Sequence, residues 1–208
     1  MALTRNDKLK RKGGNRPVRR KFLLSTEGVT ERKYFDAFGK RYGNEYGIIV
    51  RFATVASNKK SDPNNVLKKM KARLAEENIE AKNGDEAWII VDEDGRGQEK
   101  LWPLHEWALA SNGRGLALSN PKFEYWILLH FEDGASVSSS ECGDRLKKYF
   151  PAYEKGDRLD CGKLLGFLDV AVERAKRRDT PRCPDWPKVS GSTVYRLVAS
   201  MRGERIEA

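Results

Sequence analysis

Four short apolar runs punctuate the first 120 residues, and each is followed by a stretch with helical spacing. "KFLLS" (Lys21–Ser25) predicts a first strand. From Glu31 to Tyr42 the apolar positions recur every three to four residues, with Tyr34, Phe35 and Phe38 on one face, which predicts a helix. "GIIVRFATV" (Gly47–Val55) is rich in β-branched residues and predicts a second strand. In the next segment Asp62 is placed to cap a helix and Pro63 to occupy its first position, where a missing N–H costs nothing. "AWIIVD" (Ala87–Asp92) is almost continuously apolar, as a strand buried on both faces should be. A helix is expected from Glu99, with Pro103 in its first turn or bending it. "GLALS" (Gly115–Ser119) predicts strand four, and "NPKFEYWILLHF" (Asn120–Phe131) a turn followed by an apolar helix.

Strands alternating with helices imply βαβ units. The expected fold class is therefore α/β, a doubly wound, mainly parallel sheet of about four strands flanked by helices. Beyond residue 131 the pattern turns helical. "GASVSSSE" predicts a loop with a cap, "CGDRLKKYF" a short helix, "GKLLGFLDVAVERAKRR" one longer amphipathic helix and "TVYRLVASM" a last one. "DTPRCPDWPKVSGS", with three prolines, is expected to be irregular. The reading divides the chain into a basic arm (1–21), an α/β core (22–131) and a helical C-terminal extension packed on that core (132–208).

Charge adds a partner. The 208 residues hold 40 Lys and Arg against 30 Asp and Glu, a net +10. Residues 1–21 carry nine basic residues and one acid, or +8 of that excess. An arm of this kind is either a solubilising tail or a phosphate-binding segment, with Arg16, Arg19, Arg20 and Lys21 as its candidate contacts. Lys155 and Arg196 are further candidates, the alternative being ordinary solvated charges. The favoured partner is nucleic acid. No apolar run approaches the ~18 residues of a membrane span, and no secretory signal opens the chain. Three cysteines at wide spacing suggest neither a zinc cluster nor a disulfide framework, so a cytoplasmic setting is expected. The two histidines, His105 and His130, are expected on helix faces and not as ligands.

The candidate chemistry lies at strand ends. "LLSTEGVTE" puts Glu27 at the end of strand one, Gly28 in a tight turn, and Glu31 at the start of a helix. "VDEDGRG" puts Asp92 and Asp94 at the end of strand three, two residues apart and therefore on one side of extended chain. Open α/β sheets bind ligands at the carboxyl ends of strands, where the strand order switches direction. In a 2-1-3-4 order Glu27, Asp92 and Asp94 converge. Clustered carboxylates repel unless a cation neutralises them, and hard oxygen ligands specify Mg²⁺ or Mn²⁺. Glu31 is either a favourably placed first-turn acid or a further metal or supporting carboxylate.

"EGVTE" and "VDED", each after a strand, resemble the two halves of the Toprim signature of topoisomerases, bacterial primases and OLD-family nucleases. "STEGVTERKYFDAF", "VDEDGR" and "LALSNPKFEYWILLHF" together resemble the RloB-like family, which is Toprim-related and associated with bacterial defence loci. The match runs from Phe22 to about Phe131, with weaker echoes in "AYEKGD" and "SGSTVYRLV". The resemblance implies a Toprim-like sheet, Glu27 as general acid/base, and Asp92 and Asp94 holding Mg²⁺. Glu124 matches a family position and is either an added ligand, a residue orienting one, or a first-turn helix acid. Topoisomerases and primases need further domains for which 208 residues leave no room. The implied function is thus a metal-dependent nuclease in antiphage defence, with RNA, tRNA in particular, slightly favoured over DNA and with other defence proteins as possible partners. The alternative is a non-catalytic nucleic-acid-binding or regulatory subunit with a residual carboxylate site. Oligomeric state is not legible.

Overall fold

In the computed structural model, which describes residues 18–53, 62–153 and 159–204, strands and helices alternate along the first half of the chain. The order is β1 (Arg20–Thr26), α1 (Val29–Tyr42), β2 (Ile48–Phe52), α2 (Pro63–Glu77), β3 (Glu86–Asp92), α3 (Gln98–Leu109), β4 (Arg114–Asn120) and α4 (Phe123–Leu128). Helices α5 (Ser139–Lys147), α6 (Cys161–Leu165) and α7 (Leu168–Arg178) follow, then β5 (Gly191–Ser192) and α8 (Val194–Arg202). The sheet order is β2-β1-β3-β4-β5. The first four strands are parallel, and β5 pairs antiparallel with β4 through Ser119–Ser192. The chain goes one way from β1 to β2 and the other way to β3, so the switch in direction lies between β1 and β3, as the sequence predicts.

Period-two alternation explains how both faces are covered. Phe22, Leu24, Trp88, Ile90 and Ala117 point to one face and pack with Tyr34, Phe35 and Phe38 of α1 and with the later helices. Leu23, Ala87, Ile89, Val91, Leu116 and Leu118 point to the other and pack with Met70 of α2 and Leu101, Leu104 and Trp107 of α3. Both faces are dry, which is why the strands read as unbroken apolar runs. Residues beyond 131 mainly join the first of these cores, where Leu146, Leu164, Leu197 and Met201 sit with Phe22, while Trp186 joins the second.

Several local expectations hold and several are corrected. The Asp62 side chain accepts from the backbone N–H of Asn64 at 2.8 Å, with Pro63 at the first helical position. Ser138 caps α5 in a reciprocal box with Glu141. Pro103 lies beyond the first turn of α3, and the helix runs through it without the bond that residue 103 would make to the Glu99 carbonyl. The single amphipathic helix expected over 162–178 is two, broken at Gly166–Phe167. A fifth strand is present in the stretch expected to be irregular, too short at two residues to leave a periodic signal. The strand β1 begins at Arg20, so the expected arm loses its last two residues to the sheet. All three cysteines are free. Among the described residues no helix is long and apolar enough to cross a membrane.

Candidate active site

A crevice of about 320 Å³ opens at the carboxyl ends of β1 and β3. It is lined by Glu27, Glu31, Asp92, Asp94, Arg96, Phe123 and Glu124, together with Gly28, Val29 and Thr30. Each acid arrives by a different route. Glu27 extends the β1 ladder, its N–H donating to the Ile90 carbonyl at 3.2 Å. Asp92 is the last residue of β3, and its Oδ1 accepts from the backbone N–H of Phe123 at 2.8 Å, which ties β3 to the start of α4. Glu124, in the first turn of α4, is buried and accepts from the Tyr153 hydroxyl at 2.8 Å. Glu31, in the first turn of α1, is 4% exposed, and its Oε2 has no hydrogen-bond partner.

Gly28 explains how Glu31 reaches the crevice. Its backbone is extended (φ −120°), so no tight turn requires glycine there, contrary to the sequence reading. Space requires it: a Cβ at residue 28 would lie 2.7 Å from Glu31 Oε2. The carboxylate folds back over the bare Cα.

Asp94 is placed by a turn and not by extended strand. Asp94 and Gly95 both have positive φ (42° and 67°), and the Arg96 N–H donates to the Glu93 carbonyl at 2.8 Å. This is the pattern of a type I′ turn, for which Asp-Gly is a favoured central pair. The turn carries Arg96 back over β1. Its guanidinium grips Glu27 with both nitrogens, Nη1 to Oε2 at 2.7 Å and Nη2 to Oε1. Sequence reasoning missed Arg96, although the Asp-Gly pair was a legible sign that the chain reverses there. Glu93 stays out of the crevice and accepts from the Gly95 N–H.

Electrostatics follow from this crowding. Burial, reinforced by the charges of Glu31, Glu27 and Glu124, pushes Asp92 up to about 9. Burial, with Glu124 and Glu27 nearby, pushes Glu31 up to about 7. The site therefore resists negative charge and would gain from a cation. Among the described residues no three Asp, Glu, His or Cys side chains are gathered tightly enough to form a ready-made metal site. Both Glu27 oxygens are already taken by Arg96. The donor set still fits a hard cation: every candidate ligand is a carboxylate, and Glu31 Oε2 is a buried acceptor left unsatisfied, a cost of about 1–3 kcal/mol that a bound ion would remove.

The remaining sequence candidates lie elsewhere. Arg19 donates to Asn44 Oδ1, at the opposite end of β1. Arg20 donates to the Ser200 and Met201 carbonyls, tying the sheet to α8. Lys21 donates to the Glu77 and Asn78 carbonyls. One strand length, about 20 Å, separates these residues from the crevice. Arg196 is 8% exposed and paired with Asp179 at 2.6 Å, a fastening between α8 and the preceding loop and not a phosphate contact. Arg16 and Lys155 lie outside the described residues. His130 is buried against Tyr34, its Nε2 3.0 Å from the hydroxyl, and burial lowers it to about 4. His105 sits on α3 beside Trp102 and Trp186. Phe123 and Trp126 are buried in the core, and Phe131 stacks on Tyr149 at 4.5 Å.

A family model described as RloB-like protein matches residues 22–201. The match takes in the C-terminal helices as well as the α/β core. No curated protein and no solved structure matches the chain.

Proposed function

This chain belongs to the RloB-like family, and from that premise we propose that it is a metal-dependent phosphodiesterase of the Toprim type, cutting nucleic acid in antiphage defence. One observation carries the reading: five carboxylates from the ends of β1 and β3 and the starts of α1 and α4 face one crevice, with a buried acceptor on Glu31 left unpaired. A structural role for so many mutually repelling acids is hard to find. A cation site at the switch point of a parallel sheet accounts for them.

Asp92, Glu31, Asp94 and Glu124 would hold Mg²⁺ or Mn²⁺. When bound, such an ion lowers the pKa of a water and stabilises charge growing on phosphate oxygens. The protein's own contributions are separable from that. Asp92 is held in place by the Phe123 N–H, and Glu124 by Tyr153, so both present fixed oxygens. Glu27 lines the crevice beside Arg96 and is the candidate to take or give a proton at the scissile phosphodiester. Arg96 fixes the orientation of Glu27 in the free protein through both carboxylate oxygens. RNA, tRNA in particular, is the favoured substrate by family association.

The second reading is a nucleic-acid-binding subunit without turnover. The Arg96 grip on Glu27 and the lack, among the described residues, of a gathered metal cluster favour it. Incubating the purified protein with plasmid and with total tRNA separates the two. Cutting in Mn²⁺ that EDTA abolishes supports the enzyme. Binding without cutting in any divalent cation supports the subunit.

A further inference from the structure

The crevice poses a problem for any polyanionic substrate. Among the described residues that line it, five are acids and Arg96 alone is basic. A phosphodiester brought toward these carboxylates meets repulsion that a bound cation relieves only in part. We propose that Arg96 is the phosphate-binding residue of this site, and that Glu27 holds it in reserve until nucleic acid enters. The inference takes from the reading above only that the incoming anion is a phosphodiester.

Geometry supports the exchange. A guanidinium presents two parallel N–H donors, and a carboxylate and a phosphate each offer a matching pair of oxygens. Glu27 occupies that fork in the way a phosphate would. The backbone of Arg96 is fixed by the turn bond to Glu93 on one side and by Gly97, the cap of α3, on the other. Movement is therefore needed only in the side chain, which lines the crevice and is 17% exposed. The pair consists of two singly charged groups, whereas an incoming backbone with bound cation offers Arg96 a second anion and Glu27 a second partner. One motion then does two things. It places a positive charge on the phosphate, and it frees Glu27 at the step where a proton acceptor is required.

A permanent Arg96–Glu27 pair is the competing account, and counterion release separates the two. A residue that contacts phosphate contributes to the slope of log K against log salt, about 0.9 per contact on duplex and about 0.7 on single strands. A residue that stays on Glu27 contributes nothing to that slope. The probes are a short labelled RNA hairpin and a DNA duplex, bound in Ca²⁺ and recovered intact on gels. The proteins are the wild type, Arg96→Ala and Arg96→Lys, with Arg96→Gln in place of the alanine variant if that one melts early. The expected result is a slope shallower by about one contact for Arg96→Ala, and a retained slope with weaker binding for Arg96→Lys. Equal slopes in wild type and Arg96→Ala overturn the proposal, as does a wild type that binds neither probe. The nuclease reading is judged separately on the same proteins in Mn²⁺. A lost slope without any cutting leaves the Arg96 assignment standing and removes the nuclease. Cutting with an unchanged slope does the reverse.

Discussion

The Glu31 carboxylate lies where a side chain on Gly28 would have to be, 2.7 Å from the position of its Cβ. A residue with ordinary extended backbone is thus kept without a side chain so that an acid three positions later can turn into the crevice. The pairing of a bare Cα with a buried, unpartnered carboxylate oxygen is the feature of this site that a purely structural account explains least well.

Gly28→Ala should displace Glu31 while leaving the fold in place, because the clash is with the end of a flexible side chain. Melting temperature should change little. Cleavage should fall by about 10²-fold, the scale of loss when a group near the reacting centre is misplaced by roughly an ångström. Unfolding curves and single-turnover rates on the same preparations check this.

Without divalent cation, stability should fall as pH rises. Asp92 is pushed up to about 9 and Glu31 to about 7, against ordinary values near 4. Below about pH 4 these groups are protonated in both states and make no difference. Between about 4 and 9 the unfolded chain releases protons that the folded crevice retains, which favours unfolding. Asp92→Asn keeps an oxygen for the Phe123 N–H and removes the titration. Its denaturation midpoint in EDTA should therefore vary less with pH across that window and exceed the wild type's at the alkaline end. A large loss of stability at neutral pH would make Asp92 structural.

Adding Mn²⁺ should reverse the alkaline loss in the wild type. An ion at one hundred times its dissociation constant stabilises by about 2.7 kcal/mol. Glu31→Gln should blunt this gain, because the amide replaces an anionic ligand. Thermal melts across a Mn²⁺ titration read both effects, and an undiminished gain in Glu31→Gln would exclude Glu31 from the cation site.

The basic arm is tested by deleting residues 1–17, which stops short of Arg20 and Lys21 because those begin β1. The deletion removes six basic residues and one acid, +5 of the net +10. If the arm contacts phosphate, nucleic-acid binding should weaken at low salt and the salt slope should become shallower by about 0.9 per lost contact on duplex. Single-turnover cleavage at saturating enzyme should change little, since the carboxylates remain. An unchanged slope would reduce the arm to a solubility tail.

Much of the fold was legible because burial on both faces writes strands as unbroken apolar runs. Leu23–Leu24 and Trp88–Val91 left little choice of element, and their spacing by helical segments gave a parallel sheet with its switch beside β1. Glu27, Asp92 and Asp94 were legible as strand-end acids on that frame. What stayed hidden depended on turns and on tertiary contacts. Arg96 returns to Glu27 only because Asp94 and Gly95 take left-handed conformations, which an extended reading of "VDED" does not anticipate. Arg196 looks like a free cation in sequence, but Asp179, seventeen residues away, claims it. Arg20 and Lys21 read as arm because their partners, the carbonyls of Ser200, Met201, Glu77 and Asn78, are distant in the chain. The two-residue strand β5 carries no period at all.

The central claim is that the carboxylate crevice cuts phosphodiesters with a divalent cation. Its most direct test is single-turnover cleavage of total tRNA and of plasmid in Mn²⁺, with wild type and Asp92→Asn compared at matched protein concentration and matched folded fraction. The account predicts cutting of at least one substrate by the wild type, none in EDTA, and loss of the activity in Asp92→Asn, whose fold is retained. Equal cutting by the two proteins would place the activity elsewhere, and no cutting by the wild type in any divalent cation would contradict the claim outright.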